Sequence, residues 1–303
     1  MTRTIYRERI PSTDPRLKRH ILHDSESRRY AHDTSGLTVA SVEHERTLPI
    51  LDQGNVGSCT AEAGFGVLGT APYSGSQQAG AAIVAAFGGW DQAGAYRLYS
   101  AEENLDGDGP YPPNDNGSTG LTLAKALRAA GAISGWTQTF TLDDALKALT
   151  QFPLAVGSFW YNSMFTPDAE GIVTVDPASG VAGGHEYEVV GYDAARGLVK
   201  CANSWGTGWG AAGFFHLAAE DLGALLAAQG DVTIFTPIDQ PAPTPTPVPP
   251  DPTPPPPPSP PPGPDPADLA LVAAIGDWPE DHHFGEAAHV AHAMRTWKTA
   301  KHL

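Results

Sequence analysis

Gln53-Gly54-Asn55-Val56-Gly57-Ser58-Cys59-Thr60-Ala61 is the stretch on which the reading of this chain turns. It leaves an apolar run, Leu48-Pro49-Ile50-Leu51, crosses a Gly-containing loop and enters a run of small residues that reaches Leu68. Ser58 is a residue type that caps helices and Glu62 would fall in the first turn, so a helix is expected to begin near Cys59. Built from small residues, that helix would be narrow and suited to the centre of a domain. The partial positive charge at a helix start favours thiolate, so the Cys59 thiol is expected to titrate below an ordinary cysteine.

A thiol nucleophile also needs a base, a group that orients the base, and donors for an oxyanion. His185 follows Gly183-Gly184, which let backbone approach a cleft closely, and is expected to open a strand. Asn203 begins Asn203-Ser204-Trp205-Gly206-Thr207-Gly208-Trp209-Gly210 at the end of the next strand, and adjacent strands would set it beside His185. Singly, a buried structural thiol, a strand histidine and a turn asparagine would explain these residues as well. Their conjunction, with Gln53 six residues before Cys59, favours a catalytic set.

In order and flanking sequence the three motifs resemble those of the papain-like cysteine peptidases, with intervals of 126 and 18 residues from Cys to His to Asn. The likeness spans about residues 47–237, and Gly-Ser-Cys-Thr-Ala is similar to the bacterial and bacteriophage branch rather than to members reading Cys-Trp. The resemblance implies a two-lobed α+β fold, with a helical lobe bearing Cys59, an antiparallel β-barrel-like lobe bearing His185 and Asn203, and a cleft between. It implies peptide-bond hydrolysis through a thioester, with no metal or organic cofactor. Cys59 would attack as a thiolate paired with imidazolium His185, Asn203 would fix the imidazole, and Gln53 with the Cys59 N–H would hold the oxyanion. Trp205 would shield the His–Asn pair, and Gly183, Gly184, Glu186 and Trp205 would line the substrate cleft. Glu186 stands where many relatives carry a small residue of the S2 pocket, so its carboxylate would favour a basic P2 residue; a surface ion pair is the competing reading. Two other functions stay open: hydrolysis of peptidoglycan cross-bridges, and a non-catalytic interaction or virion protein that retains the fold.

The rest of the chain fits this organisation. Residues 1–46 read as a polar lead-in or short pro-segment, without the long helical pro-region of papain zymogens. Helical patterns cover 79–87, 96–105 and 121–130, and Thr141 would cap another from Leu142 to Leu149. Strand patterns follow at 153–160, 171–175, 186–192, 198–202, 213–217 and 231–235, with a helix at 221–228. Helices first and strands afterwards argue for α+β. Residues 238–268 form a linker, with 17 of the 29 prolines between Gln240 and Asp268. In polyproline II it would reach roughly 80 to 90 Å. Residues 269–303 read as a small tail of two short helices, suited to docking on a protein or cell-wall partner.

Composition narrows the partners. A formal net charge of −16 repels phosphate backbones, so nucleic acid is not an expected partner. No apolar run is long enough to span a membrane. The charged N-terminus lacks the apolar core of a secretion signal, so a cytoplasmic or virion-associated location is expected. With only Cys59 and Cys201, no disulfide framework is expected; a bridge between them would consume the nucleophile, and Cys201 reads as core. Gly64-Phe65-Gly66-Val67-Leu68-Gly69 imitates a dinucleotide loop but falls inside a helix. Asn104 to Gly109 reads as a solvated acidic turn rather than a calcium loop, and the histidines of the tail form no regular zinc pattern.

Overall fold

The computed structural model describes residues 5–24 and 29–245. Strands β1 (Ile5–Glu8) and β2 (Ile21–Asp24) form an antiparallel pair ahead of the short strand β3 (Val42–Glu43). Four helices follow: α1 (Cys59–Leu68), α2 (Gln77–Phe87), α3 (Gln92–Asp106) and α4 (Gly120–Ala129). Then come β4 (Ile133–Thr139), α5 (Leu142–Leu149), β5 (Leu154–Tyr161), β6 (Val181–Asp193), β7 (Leu198–Ala202) and β8 (Phe214–Ala218). The last elements are α6 (Ala219–Ala227) and β9 (Asp231–Pro237). This is an α+β protein with a mostly antiparallel sheet, and its described residues belong to one compact unit, Met1–Pro247. The expected tail helices and most of the linker lie outside the described residues.

Local chemistry explains the helix ends. Ser76, Asp91, Thr119 and Thr141 each accept a backbone N–H three residues on, starting α2, α3, α4 and α5. Gly88 and Gly107 end α2 and α3 in the left-handed conformation that glycine adopts without strain. Helix α1 departs from its expectation. Ser58 occupies the N-cap position, but its hydroxyl donates to Glu62 Oε1 at 2.9 Å instead of capping the backbone. Glu62 is buried and needs donors, so the side-chain pair wins. All ten residues of α1 are buried, which the run of small side chains permits.

Seven strands form one sheet in the order β4-β9-β5-β6-β7-β8, with β3 paired to β6. One hydrophobic core gathers Phe65, Leu68, Ile83, Leu98 and Leu123 among the helices. A second gathers Trp160, Tyr187, Val189, Phe215 and Leu225 around the sheet, with α5 and α6. Residues 171–175 do not make the expected strand. Asp168 Oδ1 accepts the N–H groups of Glu170 and Ile172, holding a turn, and only Ile172 bridges to His216. Strand β6 begins at Val181, so His185 lies inside it rather than opening it, because Gly183, Gly184 and His185 already pair with β5. Strand β4 was not anticipated; its ladder to β9 holds it.

Candidate active site

Helix α1 packs against β6, which brings the front of the chain onto the strand that carries His185. The His185 Nε2–H donates to Asn203 Oδ1 at 2.8 Å, and the Ser204 N–H donates to the same oxygen at 2.8 Å. Antiparallel pairing of β6 with β7 places Asn203, just past β7, within reach of the imidazole. Trp205 and Trp160 each lie 5.0 Å from the imidazole centroid and box it in. Trp160 was not singled out from the sequence, because it sits in an apolar run that reads as plain core; the β5–β6 register alone brings it here.

Cys59, the first residue of α1, is fully buried. The expected lowering of the thiol is not found in this closed form. Burial raises its pKa most, the Glu186 N–H opposes that, and the carboxylates of Glu186, Glu62 and Glu102 raise it further. His185 is lowered to about 4, chiefly by burial; its bond to Asn203 opposes this and the Arg16 guanidinium adds to it. Its Nδ1 has no hydrogen-bond partner, so the imidazole is not bonded to the thiol. Among the described residues, no group of three or more His, Cys, Asp or Glu side chains is arranged to hold a metal ion.

Gln53 is fixed at both ends of its amide. Its Oε1 accepts from Ser204 Oγ at 2.6 Å, while Nε2 donates to Val56 O at 2.6 Å and to Arg16 O at 3.1 Å. Arg16 belongs to the lead-in, so a peptide carbonyl of the chain itself occupies this donor.

The lead-in passes through the groove with Lys18 and Arg19 bridged to the chain on either side. Arg19 N–H donates to Gly184 O at 3.0 Å on one side; on the other, His20 N–H donates to Ser118 O at 2.8 Å and Ser118 N–H to Lys18 O at 3.2 Å. Leu17 and Arg19 are fully buried and Ile10 and His20 nearly so. The approach depends on the two glycines before His185: a Cβ on Gly184 would stand 2.1 Å from Arg19 O, and one on Gly183 would stand 2.6 Å from Leu17 Cβ. The Arg16 guanidinium, paired with Asp14 at 2.7 Å, lies 4.2 Å from the Trp205 ring centroid. Further out, Arg7 and Arg9 pair with Asp106 and Asp108, the carboxylates of the acidic turn after α3. An open groove of about 730 Å³ remains beside the lead-in, lined by Asp14, Arg16, Asn55, Asn162, Phe165 and Val181.

Glu186 neither faces solvent nor makes a surface ion pair. It is fully buried with its Oε2 3.8 Å from Arg19 Nε, and Arg19 also pairs closely with Asp231. Arg16, Leu17, Arg19, Ser204 and Asp231 escaped sequence reasoning; Asp231 and Arg19 stand 212 residues apart, and no local pattern links them. Cys201 is buried in the core on β7, and both cysteines are free.

Residues 39–229 match the family described as papain family cysteine protease. Among solved structures, Xylellain, a cysteine protease from Xylella fastidiosa, is 17% identical with a TM-score of 0.53, and the match covers 77% of this chain and 99% of that one. Digestive procathepsin L 3 of Tenebrio molitor larval midgut is 19% identical over 70% of this chain and 74% of that one, with a TM-score of 0.42. No curated protein matches the sequence.

Proposed function

The chain belongs to the papain family of cysteine proteases and is a cysteine peptidase, and from that premise we propose that Cys59 is its nucleophile and that residues 5–24 hold it latent. With the groove open to substrate, the Cys59 proton passes to His185 Nδ1, the ring nitrogen that Asn203 leaves free. The thiolate attacks the carbonyl carbon, and the oxyanion rests on Gln53 Nε2 and the Cys59 N–H. Imidazolium His185 then protonates the leaving amine, and water attacks the thioester with His185 as base. Asn203 holds the ring, and Trp160 and Trp205 keep water from the His–Asn bond.

One observation carries this reading: the Arg16 carbonyl, in the turn that leads into the bridged residues Lys18 and Arg19, already lies on Gln53 Nε2 at 3.1 Å. The groove therefore accepts a peptide carbonyl at the oxyanion donor, next to main chain bridged to Gly184 and Ser118. Latency follows from the same contacts. Arg16, Leu17 and Arg19 fill the space a substrate needs.

The test is mass-spectrometric readout of a proteome-derived peptide library, digested by the full chain before and after limited cleavage within residues 1–46. We expect products that require Cys59 and that rise after cleavage of the lead-in. No products in either state would overturn the catalytic assignment. Equal activity in both states would overturn the latency.

A further inference from the structure

We propose that Asp115 is a positioning residue for the peptidase reaction: its carboxylate holds the Gly57 N–H, and through it the loop that joins the two oxyanion donors. This rests on the peptidase reading above, in which Gln53 Nε2 and the Cys59 N–H receive the oxyanion.

The two ends of that loop are fixed in different ways. Gln53 is tied directly: its N–H donates to Ser204 O at 2.9 Å, and its carbonyl accepts from the Tyr96 hydroxyl at 3.1 Å. Gly54 and Asn55 are then exposed, and the chain turns inward again at Gly57, which is buried. Gly57 has no side chain to anchor it, so its backbone is what a neighbour can hold. Its N–H donates to Asp115 Oδ1 at 3.0 Å, across 58 residues of sequence. Ser58 and Cys59 follow at once, so the peptide plane entering Gly57 sets the course of the backbone into α1 and the aim of the Cys59 N–H. The approach is close: a Cβ on Gly57 would stand 2.8 Å from Asp115 Oδ1 and 2.4 Å from Lys18 Cδ.

Asp115 is itself held from α3. The hydroxyl of the fully buried Tyr99 lies 2.7 Å from Asp115 Oδ1 and 2.5 Å from Glu103 Oε1, and it accepts the Gly117 N–H at 2.8 Å. Glu103 Oε1 also accepts the N–H groups of Asn116 and Gly117, at 2.6 and 2.8 Å. Two buried side chains one helical turn apart thus pin the turn that presents Asp115, and its carboxylate is a fixed acceptor. A charged acceptor on a backbone N–H is the stronger kind of hydrogen bond. Oxyanion stabilisation depends on donors that stand in place before charge develops, so this tie bears on the transition state more than on substrate binding.

Asp115 has a second partner. Its Oδ2 pairs with Lys18 Nζ at 2.9 Å, and its carbonyl accepts from the same ammonium at 2.7 Å. When the lead-in departs, Lys18 goes with it, while Oδ1 keeps Gly57 and Tyr99. A residue that served only to anchor the lead-in would have no bearing on the released enzyme, and this sets the test.

The experiment uses the full chain after limited cleavage within residues 1–46, as wild type, Asp115→Ala and Asp115→Asn. Initial rates of peptide hydrolysis give kcat and KM, and alkylation of Cys59 by iodoacetamide is timed by mass spectrometry. Alkylation joins the sulfur to a saturated carbon as iodide departs and the thiol proton passes to His185, so no carbonyl oxygen gains charge. We expect Asp115→Ala to lower kcat by about 10- to 100-fold, the scale of a misplaced rather than a missing donor. KM and the alkylation rate should stay within about 2-fold of wild type. Asp115→Asn keeps an oxygen for Gly57 and should hold kcat within about 3-fold of wild type. Unchanged kcat in Asp115→Ala, or a fall in Asp115→Asn as deep as in Asp115→Ala, would overturn this proposal and leave the peptidase reading standing. So would alkylation lost in step with kcat, the mark of a general loss of structure. No hydrolysis by wild type, cleaved or whole, would overturn both.

Discussion

Two stretches meet at the groove and differ in how their sequence relates to their place. Residues 53–62 carry their role in local pattern: a glutamine, a turn, a serine, a cysteine and a helix of small side chains. The lead-in, residues 5–24, carries Arg7, Arg9, Arg16, Lys18 and Arg19 among its polar residues and would pass for a solvated arm. Yet Leu17 and Arg19 are as buried as Cys59. The first is interior from Gly57 onward, where its side chains are mostly small. The other is interior because its backbone bonds are met on two sides and its charges find partners. Burial of a polar segment thus has a different origin from burial of a core helix.

The largest effect that would break this contrast is on the first stretch. Cys59→Ala should lower peptide hydrolysis by at least about 10⁴-fold after the lead-in has been cleaved, measured by initial rates; retained turnover would move the nucleophile elsewhere. Gln53→Ala comes next, with a loss of about 10² to 10³-fold in kcat, the usual cost of one oxyanion donor. A change confined to KM would show that the Arg16 carbonyl marks binding only.

The second stretch should respond in the opposite direction. Leu17→Ala in the full chain removes a fully buried side chain from the lead-in and should weaken its hold by roughly 2 to 3 kcal/mol. Basal hydrolysis by the uncleaved chain should then rise, by roughly 30-fold or more if closed and open forms exchange freely. No rise would mean that latency does not depend on this segment.

The smallest effect lies beneath Cys59. Glu62 is held up to about 8 from an ordinary 4.5, mainly by burial, against hydrogen bonds from Gln92 and Ser58. Between those values the unfolded chain has lost the proton while the folded chain keeps it, so stability falls as pH rises through that window. The slope is at most about 1.4 kcal/mol per pH unit. Glu62→Gln should flatten it in denaturant titrations from pH 5 to 8, though not wholly, since Glu102 is raised in the same way. An unchanged slope would place the titration on other groups.

Much of the frame was legible in the sequence. The helices capped by Thr141 and ended near Phe87 and Leu105, and the strands at 198–202 and 231–235, follow from capping residues and apolar runs. The Cys and Asn motifs could be read because each sits at the junction of a loop with a regular element, and His185, inside β6, because Gly183-Gly184 precedes it. What escaped is set by distance along the chain. Residues 171–175 have strand composition, but Asp168 takes their N–H groups into a turn. The lead-in pairs with Gly184 and Ser118, and Arg19 with Asp231, through contacts that no window of neighbouring residues contains. Burial of the thiol also reversed its expected titration, with the carboxylates of Glu186, Glu62 and Glu102 acting in the same direction.

The position of β9 has a consequence for how the molecule comes into being. It lies between β4 and β5, so the sheet keeps a gap one strand wide until residues 231–237 arrive. Asp231, which pairs with Arg19, opens that same strand. Closure therefore waits on partners nearly a hundred residues apart in the chain for β4 and β9, and pairings of such separation form late and slowly. A chain interrupted before this strand would carry Cys59, His185 and Asn203 without a complete floor to the groove, and the cutting machinery would mature last.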